Sequence, residues 1–206
     1  MEDSPERLIL QSKDNLAGCY NSLGRHDEAL ELRREIYARV VELGDVVPRC
    51  EVFHMAQNLS SSLVENKLYA EARSLLREIV PEAMRALGAE DDMVIALRWN
   101  YVMISLSDDG VSREDLNEAV ELIEELAPMA RRIYGPAHPH TENISNGLQY
   151  ARSKLASFDD GDATTTDGDS EFATDSEATA SESDSEDANP FGGLDESDSS
   201  DGDASA

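Results

Sequence analysis

The sequence predicts an all-α fold: a right-handed α-solenoid of about three and a half helix-turn-helix repeats, followed by a disordered acidic tail. Three observations lead to this prediction. Amphipathic helices come in pairs, the pairs recur at a nearly fixed spacing, and the composition changes sharply near residue 158. A recurring helix pair is typical of repeat proteins, in which each pair buries its apolar faces against its neighbours.

The clearest helix pair lies between residues 53 and 88. Each half repeats apolar residues every three or four positions, which places them on one helical face. These residues are Val52, Ala56, Leu59 and Leu63 in the first half, and Ala72, Leu75, Ile79 and Ala83 in the second. Because only Glu65, Asn66 and Lys67 join the halves, the two helices must lie antiparallel and pack together.

This pair recurs along the chain. The anchors Asn15-Leu16, Asn58-Leu59 and Asn100-Tyr101 are 43 and then 42 residues apart. The second helices also align, with alanine at positions 29, 72 and 119, provided that the third unit carries an insertion of five residues around 108–110. The same insertion predicts a fourth anchor at Gly147-Leu148. We expect a last, capping helix over about residues 137–156 to carry it.

Two prolines raise an alternative that the sequence leaves open. Pro81 and Pro128 occupy the same place in two successive second helices. Proline lacks a backbone donor and clashes with the preceding turn. Each site is therefore either a break between two short helices or a kink in one long helix that curves the array.

The repeat resembles the tetratricopeptide repeat, in the long-linker form found in kinesin light chains. The resemblance rests on Asn15-Leu16-Ala17, Tyr20, Leu23-Gly24-Arg25 and Glu28-Ala29, and on the linker Tyr134-Gly135-Pro136-Ala137-His138-Pro139. It covers roughly residues 5–157 and implies a domain over residues 1–157, with a tail over 158–206. It also implies that the first helix of each pair lines a concave, peptide-binding face.

Charge limits the classes of partner. The chain carries a net charge of −27, and the segment from Phe158 onward contains 17 acidic residues and no Lys or Arg, which leaves −10 for the rest. This balance argues against nucleic acid and against an anionic membrane surface. The tail has too few apolar groups to collapse. The absence of a signal-like start or a long apolar run predicts a cytoplasmic protein.

Neither a catalytic motif nor a cofactor motif appears, so the sequence predicts a protein that is not an enzyme and uses no cofactor. His138-Pro139-His140 is a cluster of histidines, but it lacks a third ligand at a spacing suited to a metal. The resemblance implies that it belongs to a linker between repeats.

The predicted binding face is a row of amides. Amides donate and accept hydrogen bonds and can hold the backbone of an extended peptide. We therefore expect the three anchor asparagines to behave alike, exposed to solvent and dispensable for folding. The predicted groove residues are Asn15, Asn58, Asn100, Gln11, His54 and Gln57.

The tail carries possible linear motifs. Asn189-Pro190-Phe191 resembles ligands of endocytic EH domains. An acidic residue follows three positions after Thr174, Ser181, Ser183 and Ser200, a spacing that resembles substrates of acidophilic kinases. An inert solubilising tail is the alternative.

Two functions fit these features. The first is an adaptor that binds an extended peptide of a partner protein in its concave groove. The second is a chaperone for basic proteins such as histones, in which the acidic tail binds the partner. The sequence leaves the partner's identity and the oligomeric state open.

Overall fold

The computed structural model describes residues 5–162, without the side chains of Asp45 and of residues 159–162. Within that range the chain forms seven α-helices and no strand: α1 (Pro5–Ser22), α2 (His26–Leu43), α3 (Arg49–Glu65), α4 (Tyr69–Leu87), α5 (Asp92–Ser107), α6 (Arg113–Ile133) and α7 (Pro139–Asp162). A short 3-10 helix, Gly44–Val46, follows α2. None of the helices in this range has the length and apolar composition needed to span a bilayer.

The helix ends lie where the glycines and the N-capping residues predict them. Gly24, Gly44 and Gly88 follow α1, α2 and α4 with positive φ, a conformation that glycine adopts without strain. Asp91 and Ser112 begin α5 and α6, where their side chains accept hydrogen bonds from the backbone N–H groups of Met93 and Asp115. The helix pairing read from the sequence is confirmed.

Each helix packs mainly on its neighbours in the chain, as expected for an α-solenoid. Three apolar clusters follow one another along residues 5–162. The first joins α1, α2 and α3, the second joins α2 to α5, and the third joins α5, α6 and α7. Shared helices connect the clusters, so the apolar core runs through every helix pair.

Both prolines lie inside single helices. Pro81 is part of α4 and Pro128 is part of α6, and each helix continues for at least five residues beyond its proline. Buried Ala83 and Ala130 follow the prolines and pack into the core. The alternative of two short helices is therefore wrong, because the apolar face that the core requires continues past each proline.

The last helix extends to Asp162, beyond the expected end near residue 156. Leu155 and Phe158 pack against the cluster formed by α5, α6 and α7, which keeps the helix in contact with the core. The predicted fourth anchor, Gly147, is buried on the side of α7 that faces Trp99 of α5.

Ion pairs recur at the same repeat position. Arg34 of α2 donates to Glu71 of α4 at 2.6 and 2.8 Å. One repeat further on, Arg77 of α4 donates to Glu118 of α6 through Nε at 3.1 Å. Each pair joins the second helices of successive units, so the register between neighbouring units is marked by a repeated contact.

The inserted turn of the third unit is held from both sides. Buried Arg73 of α4 donates to the Asp108 carboxylate at 2.7 Å. Lys154 of α7 donates through Nζ to the carbonyl oxygens of Leu106 at 2.7 Å and Asp108 at 3.0 Å. Burial lowers the pKa of the Lys154 ammonium from its usual value. One turn thus connects the second, third and fourth units.

Candidate functional site

The first helices of successive units form one side of the array, which we call the inner face. Here α3 contacts α5 and α5 contacts α7, whereas the second helices α2, α4 and α6 have no comparable mutual contacts. Helices lie closer together on the inside of a curve, so α1, α3, α5 and α7 line the concave side. All six predicted groove residues lie on α1, α3 or α5.

A pocket opens between α1 and α3. Its volume is about 300 Å³, and its apolar lining comes from Leu10, Val40, Val47 and Met55. Four of the six predicted groove residues also line it, namely Gln11, Asn15, His54 and Asn58. The remaining two, Gln57 and Asn100, are half-buried and lie outside the pocket. The structure thus brings together the part of the predicted row that lies on the first two units.

A polar junction connects α1, α2 and α3 at the edge of this pocket. The Asn58 amide donates to Asp14 at 2.7 Å. Arg33 of α2 donates to the backbone carbonyl of Asn58 and to Ser62 Oγ, both at 2.9 Å. Its Nε lies 3.6 Å from Asp14 Oδ1. Burial lowers the pKa of the Arg33 guanidinium, while Asp14 opposes this by favouring the charged form.

Asp14 of this junction has one carboxylate oxygen without a hydrogen bond. Asp14 Oδ1 is buried and lacks a hydrogen-bond donor among residues 5–162, although Asp14 Oδ2 receives the Asn58 amide. A buried acceptor without a donor costs free energy. Arg33 Nε is also buried without a hydrogen-bond partner and lies 3.6 Å from this oxygen, so the positive charge of Arg33 offsets part of that cost.

The three anchor asparagines differ from one another. Asn15 is exposed, and neither its side chain nor that of Asn100 makes a hydrogen bond within the described part of the chain. The Asn58 amide instead holds α3 to α1 through Asp14. The expectation that all three are exposed to solvent is thus wrong at Asn58 and Asn100, which are half-buried, and at Asn58 a residue of the preceding unit uses the amide donor.

Sequence reasoning missed Arg33, although a signal for it was present. The residues that match Arg33 in the next two units are Leu76 and Ile123, both fully buried. A charged residue at an otherwise apolar repeat position requires a buried partner. In this chain the partners are Asp14, Ser62 and the backbone of Asn58.

The histidines of the predicted linker form a small ring cluster. Tyr134 stacks on His138 with ring centroids 5.1 Å apart, and His138 stacks on His140 at 5.0 Å. The backbone N–H of His140 donates to His138 Nδ1 at 3.2 Å, and the Tyr134 hydroxyl donates to Asp92 at 2.7 Å. These contacts fasten the turn between α6 and α7 to the start of α5. No group of metal-binding side chains occurs among the described residues.

The motifs of the predicted tail lie outside the described residues. This applies to Asn189-Pro190-Phe191 and to the four possible phosphorylation sites, Thr174, Ser181, Ser183 and Ser200. They stay predictions of the sequence.

Residues 111–140 match the sequence model of the tetratricopeptide repeat family. This part of the chain is therefore similar to a tetratricopeptide repeat. The matched stretch begins at the end of the inserted turn, includes all of α6 and reaches the linker at 134–139. The recognition made from the sequence is thereby confirmed. Tetratricopeptide repeats are protein–protein interaction modules, and domains of this fold are typically non-enzymatic scaffolds.

Two solved structures of tetratricopeptide-like repeats are similar to this chain. A point variant of the nearly identical repeats from a putative kinesin light chain of Podosopora anserina has 18% sequence identity and a TM-score of 0.40, covering 79% of this chain and 93% of its own. Another structure of those repeats has 18% identity and a TM-score of 0.38, covering 75% and 90%. No curated protein sequence matches this chain.

Proposed function

We propose that this protein is a tetratricopeptide repeat adaptor that binds an extended peptide of a partner protein along its inner face. The observation that supports the proposal is the α1–α3 pocket, which combines an apolar lining with four predicted groove residues. Pockets with apolar walls and a few polar groups are the usual form of a binding site.

The chemistry of the pocket favours a particular kind of peptide contact. Leu10, Val40, Val47 and Met55 provide apolar surface for one large apolar side chain. Asn15 and His54 are exposed and can bond to the backbone on either side of that residue. The pocket selects one side chain, while the amides hold the backbone without reading its sequence.

Selection from a random peptide library tests the proposal. We expect selected peptides to carry a large apolar residue in an extended segment. Asn15→Ala and His54→Ala should each weaken their binding about three- to tenfold, the loss expected for one hydrogen bond of about 1 kcal/mol, at unchanged melting temperature. Gln149→Ala, on an exposed position of α7, is the matched control. Unchanged affinity in both pocket variants would contradict the proposal.

The second candidate is a chaperone for basic proteins, and the acidic tail favours it. Seventeen carboxylates without a Lys or Arg form a polyanion that attracts cationic partners. Truncation after Asp162 separates the two functions. An adaptor keeps its affinity for the selected peptides, whereas a tail chaperone loses its affinity for histones. Histone binding through the tail should also fall steeply as salt is raised.

The remaining features of the proposal concern location and regulation. We place the adaptor in the cytoplasm. The acidophilic-kinase spacing around Ser181 and Ser183 would allow phosphorylation to add up to two negative charges per site. Mass spectrometry after treatment with an acidophilic kinase tests these sites.

A further inference from the structure

The two ends of the described array differ in polarity. In a repeat array the first helix of each unit packs on the second helix of the preceding unit. The same helical face is therefore buried in α3 and α5, by α2 and α4 respectively. The equivalent face of α1 has no preceding helix within the described residues. We call this surface the open face of α1; it carries Ile9, Ser12, Leu16 and Cys19.

The exposed fractions of equivalent residues in α3 and α5 show how unusual this face is. Leu16 is 45% exposed, whereas its equivalents Leu59 and Tyr101 are 6% and 3% exposed. Ile9 is 55% exposed, whereas its equivalents Val52 and Val94 are 7% and 0% exposed. Leu8 lies beside them and is also exposed. The open face thus keeps the apolar character of a packed surface.

The other end of the array lacks this apolar character. In α5 the residues that pack on α6 include Ile95, Trp99, Val102 and Leu106, all buried. Their equivalents in α7 are the exposed polar residues Glu142, Asn146, Gln149 and Ser153. This end has the polar surface of a terminal repeat. A head-to-tail stack of two copies would place the apolar open face against this polar surface, and is disfavoured.

The charges of the two terminal helices also bear on which surfaces of two copies can meet. Helix α1 contains two acidic and two basic residues, so two copies of it meet without net repulsion. Helix α7, at the other end, contains four acidic and two basic residues. Although the whole chain carries −27, its charges lie mainly away from α1. A second copy can therefore approach through α1 with little electrostatic cost compared with approach through the other end.

We propose that the open face of α1 is a homodimer interface, in which α1 of one copy packs on α1 of a second copy. The arrangement is isologous, so Ile9 and Leu16 of both copies lie at its centre. It covers the same helical face that α2 covers on α3 and that α4 covers on α5. The α1–α3 pocket is lined by other residues of α1, namely Arg7, Leu10, Gln11, Asp14 and Asn15, and stays accessible in the dimer.

Sedimentation equilibrium of the full chain tests this interface. At tens of micromolar we expect a mass of twice 22.6 kDa, falling to 22.6 kDa on dilution. The double variant Ile9→Lys/Leu16→Lys should raise the dimer dissociation constant at least tenfold. Val41→Lys is the matched control, since Val41 is an exposed apolar residue of α2 outside the open face, and it should leave the constant unchanged.

Circular dichroism and the melting temperature establish whether each variant is folded. If the double variant loses helix content, Leu16→Ser is used in its place, because serine keeps the helix uncharged. A chain that is monomeric at every concentration overturns the proposal. A dimer that is unaffected by the folded Leu16 variant, or that is equally weakened by Val41→Lys, also overturns it.

Discussion

Gly147 is the residue at which α7 comes closest to the preceding unit. A Cβ atom placed there would lie 2.6 Å from Trp99 Cη2 and 3.1 Å from Ile123 Cδ1. Such distances are shorter than van der Waals contact, and the indole is packed in the core. The absence of a side chain at this position therefore allows α7 to dock on α5 and α6.

We expect Gly147→Ala to destabilise the protein by about 1 kcal/mol. Overpacking costs about 1–3 kcal/mol, and the higher helix propensity of alanine offsets up to about 1 kcal/mol of that cost. Gly18→Ala is the control, since Gly18 lies in α1 with no atom within 4 Å of the added Cβ. It should stabilise by up to about 1 kcal/mol. Urea denaturation measures both. Stabilisation by both variants would show that Trp99 moves aside without cost.

The Asn58 amide provides a second test at the residue scale. Its hydrogen bond goes to a carboxylate, and such bonds contribute about 1.5–3 kcal/mol when buried. Because this one is only partly buried, we expect Asn58→Ala to lower the unfolding free energy by about 1–2 kcal/mol. Exposed Asn15→Ala should change it by less than about 0.5 kcal/mol. Equal effects at the two positions would contradict the contact between Asn58 and Asp14.

The sequence predicted the position of Asn58 but not its partner. Repeat alignment places Asn15, Asn58 and Asn100 at one helical position, since that depends only on spacing. The partner depends on residues that differ between units. Gln57 and Trp99 stand where Asp14 stands, and Leu76 stands where Arg33 stands. An alignment of repeats averages over such differences, so it predicts the shared face and misses the contact made by one unit.

At the scale of the helix, the pair α3–α4 was predicted from periodicity, and its interior gives the next test. Leu59 is buried in the cluster that joins α2 to α5. Its replacement by alanine leaves a cavity, so Leu59→Ala should cost about 2–5 kcal/mol. Leu23→Ala, at the exposed turn after α1, should cost less than about 1 kcal/mol. A change below about half a kcal/mol at Leu59 would contradict its burial.

Arg77 of α4 pairs with Asp115 and Glu118 of α6, and this contact should make the unfolding free energy depend on pH in the acidic range. Burial is the largest single effect on Asp115 and Glu118 and opposes their charged forms. Hydrogen bonds from Arg77 and from neighbouring hydroxyls, together with nearby arginine charges, outweigh it, so the pKa of each carboxyl lies below its usual value. Groups with a depressed folded-state pKa stabilise the fold above their unfolded pKa. They lose that contribution as pH falls through the folded value.

We therefore expect the unfolding free energy to fall between about pH 5 and pH 3. Arg77→Gln should reduce this fall and should cost about 0.5–1 kcal/mol at pH 7, the magnitude of a partly exposed ion pair. Arg85→Gln is the control, because Arg85 makes no ion pair within residues 5–162. Equal acid sensitivity in the wild type and Arg77→Gln would contradict the role of this contact.

Helix boundaries were predicted well because they depend on local chemistry. Gly44 ends α2 and Pro48 precedes α3, as the capping rules require. The path of the chain at Pro81 could not be predicted in this way. Local propensity favours a break there, and the buried face of α4 outweighs it. The pairing of Arg34 with Glu71 likewise depends on how two units pack, which periodicity alone does not specify.

For the whole molecule, the burial of α5 predicts where the fold opens last. Ten of its 16 residues are buried, and it contacts helices on both sides. Helix α1 contacts mainly α2 and buries two residues. Amide hydrogen exchange at micromolar dilution should therefore be slowest in α5 and faster in α1, because exchange from a core element requires global opening. Equal protection of the two helices would contradict this order.

The turn at 108–112 bears on how such arrays can be rebuilt. A protein engineer often treats repeats as interchangeable parts that can be deleted, duplicated or exchanged between proteins. Here Arg73 and Lys154 come from different units and meet at a segment that a third unit alone possesses. Deleting the third unit would leave both cations without these partners, and duplicating it would create a turn with no lysine to hold it. Grafts into this protein should therefore keep Arg73, the turn at 108–112 and Lys154 together.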